Sequence, residues 1–414
     1  MVKTLERATV DRVREFVVKK AQGLTTAVPR RSDPFWKGLK DLGTRLWLDT
    51  GDIEAAGRLW ADELSGLTTN NTLLNKEIQK GIYDSVIAEA GALLADLDRD
   101  TRVIEVAFIL NALHGLRLVG DFRATVSVEL HTATAHDAQA AVEYGRRFAA
   151  ISPEHFVVKV PLTPEGLIAT RTLRSEGIPV NFTLGFSARQ NHLAAAIAFP
   201  SYVNVFLGRL NSYVSDNHLG DGLLVGERAM LASQREVKAL SSRGGRQTLQ
   251  IAASIRDGLQ VEALAGVDVM TIPTAAASDA HARLSGTWES RLGRAYETRL
   301  AAGVEETKVR LSTLWDVTDR ERELARGLDS KPPRTGEELV DRARKAGVGD
   351  LFPEMSAADL DRISREGKIP KHASWAERVA SGTAAIDSLL NLAGLASFTA
   401  DQAALDNRVR GLLA

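Results

Sequence analysis

Eight short strand-like segments alternate with longer helical segments between residues 45 and 290, and this alternation constrains the fold more than any other feature. The strand candidates are rich in Val, Ile and Leu and lie at RLWLDT (45–50), GLTTN (66–70), TVSVEL (125–130), FVVKVP (156–161), PVNFTL (179–184), YVNVFL (202–207), TLQIAA (248–253) and VDVMTI (267–272). The segments between them place apolar residues three and four apart, as in DAQAAVEYGRRFAA (137–150). Such alternation is typical of parallel βα units whose helices cover a sheet.

Eight βα units predict a closed barrel, which needs that number of strands over roughly 250 residues. The main alternative is an open, doubly wound sheet. It is disfavoured because the first strand runs into LDTGDIEAAG (48–57), with one glycine at the turn and no Gly-rich phosphate-binding motif. We therefore predict an α/β fold, a (β/α)8 TIM barrel with an N-terminal helix and a C-terminal helical extension.

The chain after residue 290 has a helical pattern without strand segments. We expect residues 1–290 to form the barrel with its N-terminal helical segment, and residues 291–414 to form a helical extension packed on it. SKPPRTG (330–336) marks a turn, because two prolines and a glycine interrupt the pattern. ASWAERVASGTAAIDSLLNLA (373–393) and ADQAALDNRVRGLL (400–413) read as amphipathic helices.

Composition disfavours several classes of protein. The chain has 52 basic and 53 acidic side chains, so charge gives no reason to expect nucleic acid or an anionic membrane as partner. It has no cysteine, which excludes disulfides and a thiol nucleophile. No apolar run approaches the roughly 18 residues of a membrane span, and acidic residues interrupt the basic N-terminal stretch 3–20. We expect a cytoplasmic protein and leave a homodimer open.

Polar residues recur near the C-terminal ends of the predicted strands, where barrel enzymes place their chemistry. In chain order they are Asp49, Thr69, Asn70, Glu129, Lys159, Asn181, Thr183, Asn204, Arg209, Ser254 and Arg256. One buried polar residue is usually satisfied by a neighbour. This many at one rim would be costly unless they bound one another and a ligand.

Lys159 is the most informative of these residues, because it lies in the apolar segment FVVKVP (156–161). Desolvation disfavours an ammonium and would leave an amine able to attack a carbonyl, which is a standard route to a Schiff base. A structural ion pair with Glu129 or Asp49 is the alternative. The strand pattern alone does not decide between them.

An imine between Lys159 and a ketose would need proton-transfer groups beside it. Breaking the C3–C4 bond needs a base for the C4 hydroxyl proton, and Asp49 is the candidate. Asp49 could instead cap the helix that follows, although Asp52 could take that role. Glu129, with the Thr183 hydroxyl and a water molecule, could move protons during dehydration of the carbinolamine.

The same chemistry would need groups that bind the sugar. Asn70 and Asn181 offer neutral amides for the hydroxyls of the bound intermediate. Arg209 and Arg256 offer guanidinium groups for a phosphate, and Ser254 adds a hydroxyl.

The chain resembles the transaldolase family in seven motifs that occur in family order. They are WLDTGD (47–52), GLTTN (66–70), VSVEL (126–130), VVKVP (157–161), GIPVNFTLGFS (177–187), VFLGRL (205–210) and ASIR (253–256). The tail FTADQAALDNRVRGLL (398–413) is also similar to the closing helix of that family.

The resemblance implies a class I mechanism with no metal and no cofactor, in which Lys159 forms the Schiff base and Asp49 is the acid/base for C–C cleavage. Glu129 and Thr183 would hold the catalytic water. The implied substrates are sugar phosphates: dihydroxyacetone would move from sedoheptulose 7-phosphate or fructose 6-phosphate to an aldose phosphate in the pentose phosphate pathway. The implied substrate-binding residues are Thr69, Asn70, Asn181, Asn204, Phe206, Arg209, Ser254 and Arg256.

Two residues depart from the family pattern. Asn71 stands where the family usually has proline, and Asn204 stands where it usually has serine. Both changes fall near the expected position of the ketose, so a specialised transaldolase or aldolase with a different donor or acceptor stays open.

Two further readings carry less weight. A non-catalytic barrel that binds sugar phosphates would not need a desolvated amine such as Lys159. His131 and His136 are five residues apart without a third ligand at useful spacing, which disfavours a metal-dependent hydrolase.

Overall fold

The computed structural model describes residues 5–244 and 246–413 and shows a closed barrel of eight parallel strands. Each strand pairs with its sequence neighbours, and β8 returns to pair with β1. The strands are β1 (Arg45–Asp49), β2 (Leu64–Thr68), β3 (Thr125–Glu129), β4 (Phe156–Pro161), β5 (Val180–Thr183), β6 (Tyr202–Phe206), β7 (Leu249–Ala253) and β8 (Val269–Pro273). The predicted (β/α)8 TIM barrel with its helical extensions is confirmed.

Helices before and between the strands cover the barrel. They are α1 (Arg7–Gln22), α2 (Pro34–Asp41), α3 (Ile53–Leu59), α4 (Asn71–Gln79), α5 (Asp84–Leu93), α6 (Arg99–Phe122), α7 (Ala138–Ile151), α8 (Pro164–Ser175), α9 (Ala188–Ile197), α10 (Leu207–Asp216), α11 (Val225–Gly244), α12 (Gly258–Ala263) and α13 (Thr274–Arg283). Those of the C-terminal region are α14 (Glu306–Val309), α15 (Asp319–Ser330), α16 (Gly336–Lys345), α17 (Ala357–Glu366), α18 (His372–Ala380) and α19 (Ile386–Leu412). The turn expected at 330–336 lies between α15 and α16.

Strand register brings polar residues side by side at the C-terminal rim. Glu129 on β3 pairs with Lys159 on β4, and Lys159 pairs with Asn181 on β5. Side chains at one level of adjacent parallel strands share a face, so the register alone groups these three residues.

The second strand differs from its prediction. It ends at Thr68, whereas the sequence pattern placed its end at Asn70. The reason is local, because the Asn70 side-chain oxygen accepts a hydrogen bond from the Leu73 backbone N–H at 2.8 Å and caps α4. Thr69 and Asn70 therefore belong to the loop between β2 and α4.

The C-terminal helices also differ from their predicted limits. The segment 373–393 is two helices, α18 and α19, because the chain turns at Gly382, whose φ of +74° favours glycine. The tail at 400–413 is not a separate helix but the second half of α19.

One buried arginine ties this C-terminal region to the barrel. Arg189 on α9 bonds both carboxylate oxygens of Asp387 on α19, at 2.8 and 2.9 Å. Its other guanidinium nitrogen lies 3.1 Å from both Glu321 on α15 and Asp350. All four side chains are buried, so the cluster holds α15 and α19 against the barrel wall.

Among the described helices, α6 alone is long and apolar enough to cross a membrane by length and composition. However, 67% of its most apolar window is buried inside the protein. The helix packs against α1 and β3, as a core helix of the barrel wall does.

Candidate active site

Lys159 lies in the barrel mouth and is 4% exposed. Its Nζ donates a hydrogen bond to the Thr69 carbonyl at 3.0 Å and lies 3.5 Å from Glu129 Oε2. The ion pair that the sequence left open is therefore present. It does not exclude a reactive amine, because an adjacent carboxylate can accept the proton of the ammonium.

Asp49 stands at the end of β1. It accepts a hydrogen bond from Thr68 Oγ1 at 2.7 Å, and that hydroxyl also lies 2.6 Å from Thr271 Oγ1. Burial raises the pKa of Asp49, against the opposing charge of Lys159. Asp49 caps no helix, because Asp52 accepts the Ala55 N–H at 2.9 Å and caps α3.

Glu129 is the second carboxylate beside the lysine and is 3% exposed. Burial raises its pKa, while the Lys159 charge and a 3.3 Å hydrogen bond from the Asn71 backbone N–H oppose that rise. Two carboxylates with raised pKa flank one buried amine, which is an arrangement suited to proton transfer.

Amides and a hydroxyl line the next part of the mouth. Asn204 Nδ2 donates to Asn181 Oδ1 at 2.9 Å, and Asn181 Nδ2 donates to Ser127 Oγ at 3.0 Å. The Asn204 Oδ1 and Thr183 Oγ1 atoms are buried without a hydrogen-bond partner in the described part of the chain. Buried polar atoms without partners are costly, so these two are available to a ligand.

The two arginines differ in their surroundings. Arg209 is buried on α10, near the Phe206 ring, and its Nη1 has no hydrogen-bond partner among the described residues. Burial, reinforced by the charge of Arg256, lowers the pKa of Arg209 to about 10. Arg256 is exposed, and Ser254, two residues before it, has a left-handed φ of +62°. Strained backbone of this kind is concentrated at functional sites.

A glycine allows these groups to approach one another. A Cβ at Gly208 would lie 2.2 Å from the Ser254 carbonyl oxygen and 2.8 Å from Arg256 Nε. Any other residue would push α10 away from the loop after β7, and Arg209 with it.

Thr69 and Asn70 are already engaged within the protein. Thr69 Oγ1 donates to the Ser127 carbonyl at 3.1 Å, and the Thr69 carbonyl accepts the hydrogen bond from Lys159 Nζ. The Asn70 oxygen caps α4, which leaves its amide nitrogen for a ligand.

Phe398 and Lys368 were not among the predicted site residues, and Asn71 was noted only as a departure from the family pattern. The Phe398 ring on α19 lies 5.8 Å from both Lys159 Nζ and Arg209 Cζ. Asn71 is buried and bonds to α19. Lys368 is exposed, but partial desolvation of its ammonium and the charge of Arg209 lower its pKa. The local sequence does not assign Phe398 or Lys368 to the site, because the fold brings both of them to the rim from far along the chain.

The two histidines bond to acidic side chains. His131 Nε2 lies 3.2 Å from Asp406, and His136 Nδ1 lies 3.5 Å from Glu165. They are ordinary polar residues, as the sequence suggested.

A (β/α)8 barrel with a buried amine between two carboxylates defines an enzyme of the class I aldolase type. Residues 46–312 match the model of the transaldolase/fructose-6-phosphate aldolase family. A transaldolase from Xanthomonas oryzae pv. oryzae is 34% identical over 233 residues, which are 54% of this chain and 71% of the relative. A probable transaldolase from Thermus thermophilus is 39% identical over 233 residues, 56% of this chain and 87% of the relative. A probable transaldolase from Kosmotoga olearia is 34% identical over 232 residues, 55% of this chain and 84% of the relative.

The chain belongs to the transaldolase/fructose-6-phosphate aldolase family. It is a transferase of the transaldolase type. The reading as a non-catalytic barrel is set aside.

Proposed function

We propose that the enzyme transfers a dihydroxyacetone unit from a ketose phosphate to an aldose phosphate through a Schiff base on Lys159. The observation that carries this proposal is the buried Lys159 amine 3.5 Å from Glu129, with Asp49 nearby. Buried polar atoms without partners on Thr183, Asn204 and Arg209 around the same mouth support a polar ligand. The cytoplasmic location expected from the sequence suits soluble sugar phosphates.

The first stage makes the imine. Glu129 takes a proton from the Lys159 ammonium, and the free amine attacks the C2 carbonyl of the ketose to give a carbinolamine. Loss of the C2 hydroxyl as water needs a proton donor, and Glu129 returns its proton for this step. The Thr183 hydroxyl has no partner in the described residues and can hold the water involved.

The second stage breaks and remakes a carbon–carbon bond. Asp49 removes the C4 hydroxyl proton, the C3–C4 electron pair moves into the iminium, and an aldose phosphate leaves. The enamine that remains attacks the aldehyde carbon of an acceptor aldose phosphate, and Asp49 returns the proton to the new hydroxyl. Hydrolysis of the imine then releases the new ketose and restores the amine.

Substrate contacts follow from the chemistry of each group. Asn70 and Asn181 bind the hydroxyls of the three-carbon unit, and Asn204 adds its free carbonyl oxygen. The guanidinium groups of Arg209 and Arg256 bind the phosphate. Ser254 supplies a further hydroxyl to the phosphate, Phe206 forms an apolar wall, and Thr69 holds the lysine.

The preferred donors are fructose 6-phosphate and sedoheptulose 7-phosphate, which would place the enzyme in the non-oxidative pentose phosphate pathway. A specialised enzyme with another sugar-phosphate donor or acceptor is the second candidate. The hydrogen bond from Asn204 to Asn181 favours it, because this bond occupies an amide oxygen that would otherwise face the sugar.

A transfer assay tests the proposal. With fructose 6-phosphate and erythrose 4-phosphate, we expect sedoheptulose 7-phosphate to form with the wild type and not with Lys159→Met. Lys345→Met is the matched control, because Lys345 is exposed on α16, and it should keep full activity. Turnover by Lys159→Met comparable to the wild type would refute the mechanism.

A panel of ketose phosphates separates the two candidate functions, and release of free dihydroxyacetone without an acceptor would indicate an aldolase.

A further inference from the structure

Asn71 makes two hydrogen bonds that the proposed reaction does not yet use. It is the first residue of α4 and is 3% exposed. Its backbone N–H donates to Glu129 Oε2 at 3.3 Å, and its side-chain Nδ2 donates to Gln402 Oε1 on α19 at 2.7 Å. One residue thus touches both a carboxylate of the site and the C-terminal helix.

The contact with Gln402 is part of a closed ring of interactions. Gln402 Nε2 donates to Asp406 Oδ1 at 2.9 Å, and Asp406 lies 3.2 Å from His131 Nε2. His131 follows Glu129 by two residues, so the ring returns to the end of β3. Thr72 also bonds to Asp401 on the same helix.

The position of α19 matters for the amine. Phe398 lies one helical turn before Gln402, so the two side chains share a face of α19. The Phe398 ring stands 5.8 Å from Lys159 Nζ. The hydrogen bond from Asn71 to Gln402 therefore also holds the Phe398 ring in its position beside the amine.

We propose that Asn71 is a positioning residue: its N–H orients Glu129, and its side chain holds α19, with Phe398, over Lys159. The inference rests on the proposed Schiff-base function and assigns a part in it to the first residue of α4. The groups that face Glu129 are the ammonium of Lys159, the carboxylate of Asp49 and the guanidinium of Arg209, together with the N–H of Asn71.

Local geometry permits a clean test with proline. Proline is well tolerated at the first position of a helix, and the extended backbone of Asn70, with φ −157° and ψ 171°, suits a residue before proline. Asn71→Pro should therefore fold while losing both bonds. Asn71→Ala loses the side-chain bond and keeps the N–H, so the difference between the two variants isolates the bond to Glu129.

We expect kcat of Asn71→Pro to be about tenfold lower than that of Asn71→Ala, since a hydrogen bond to a charged group has about that effect. A hydrogen bond to the carboxylate favours its charged form, so losing the bond should also move the acidic limb of the pH–kcat profile to higher pH. If the two variants had the same kcat and the same acidic limb in their pH–kcat profiles, the proposed role of the N–H would be overturned.

The side-chain bond has its own test. Asn71→Ala and Gln402→Ala should each raise KM about fivefold with a smaller change in kcat, and the double variant should be no worse than either single one. Both single variants should speed amide hydrogen exchange in α19, a readout that does not depend on catalysis. Additive effects on KM with unchanged exchange would overturn the link. Absence of turnover in the wild type would instead count against the proposed function. The hydrogen-exchange data would still show whether the Asn71–Gln402 bond holds α19.

Discussion

At the scale of single residues, the proposed chemistry depends on two buried carboxylates beside one buried amine. Burial raises the pKa of both Asp49 and Glu129 although the charge of Lys159 opposes it. A carboxyl group with a raised pKa can carry a proton closer to neutrality, as both stages of the proposed reaction require.

Asp49→Asn should separate the two stages, because only C–C cleavage needs the Asp49 base. We expect kcat to fall by about 10² to 10⁴, while imine formation with dihydroxyacetone persists. Steady-state transfer assays and borohydride trapping measure the two effects. Loss of both together would show that Asp49 acts at the imine stage.

The same substitution should affect stability in a pH-dependent way. A raised pKa in the folded state means that the charged form opposes folding, so the penalty is present above that pKa and disappears as pH falls through it. Asp49→Asn removes the penalty and should raise Tm at pH 8 by about 1–3 °C, with a smaller gain at pH 4. Thermal unfolding of the wild type and the variant at both pH values measures this. A larger increase in Tm at pH 4 than at pH 8 would contradict this expectation.

Strand register explains why the sequence predicted that several of these residues lie together. Glu129, Lys159 and Asn181 fall at one level of neighbouring strands, and each strand was recognisable from its apolar run. Asn71 could not be interpreted in the same way. Its partner Gln402 is 331 residues away, and nothing local to either residue indicates the contact.

At the scale of elements, the barrel strands position the candidate catalytic residues, and α19 packs beside them through Phe398. The sequence indicated a helix near 400–413, but not that it is the second half of the longer α19. It could not indicate that Phe398 faces the amine, because an apolar residue in a helix normally means packing. Tertiary contact, rather than periodicity, decides which apolar side chain becomes a wall of the site.

Arg189 should govern how firmly α15 and α19 are held. Arg189→Met would leave Asp387 and Glu321 buried without the cation that they share, while Asp350 would keep its ion pair with Arg310, at a cost of about 3–5 kcal/mol. We expect a lower Tm and, because α19 carries Phe398, a higher KM for the ketose phosphate. Arg326→Met on α15 is the control, since Arg326 is exposed on the same helix. Equal losses of Tm in the two variants would argue against the cluster.

At the scale of the whole molecule, a barrel of the transaldolase type carries helices that reach back to its mouth. Balanced charge and the closed barrel agree with an enzyme for small polar substrates rather than a nucleic-acid binder. In the proposed function the choice of sugar depends on side chains such as Asn204, which bonds to Asn181 on a neighbouring strand while its backbone carbonyl accepts from Asn191. Fold and reaction class are therefore accessible from the sequence, whereas the sugar is not.

The most direct measurement is the mass of the enzyme after reduction of the trapped intermediate. Incubation with fructose 6-phosphate and borohydride should add one reduced dihydroxyacetone unit, and peptide mapping should place it on Lys159. Lys159→Met should gain no mass under the same conditions, and Lys345→Met should gain the same mass as the wild type. An unmodified wild type with every ketose phosphate tried, or an adduct that persists in Lys159→Met, would contradict the Schiff-base mechanism.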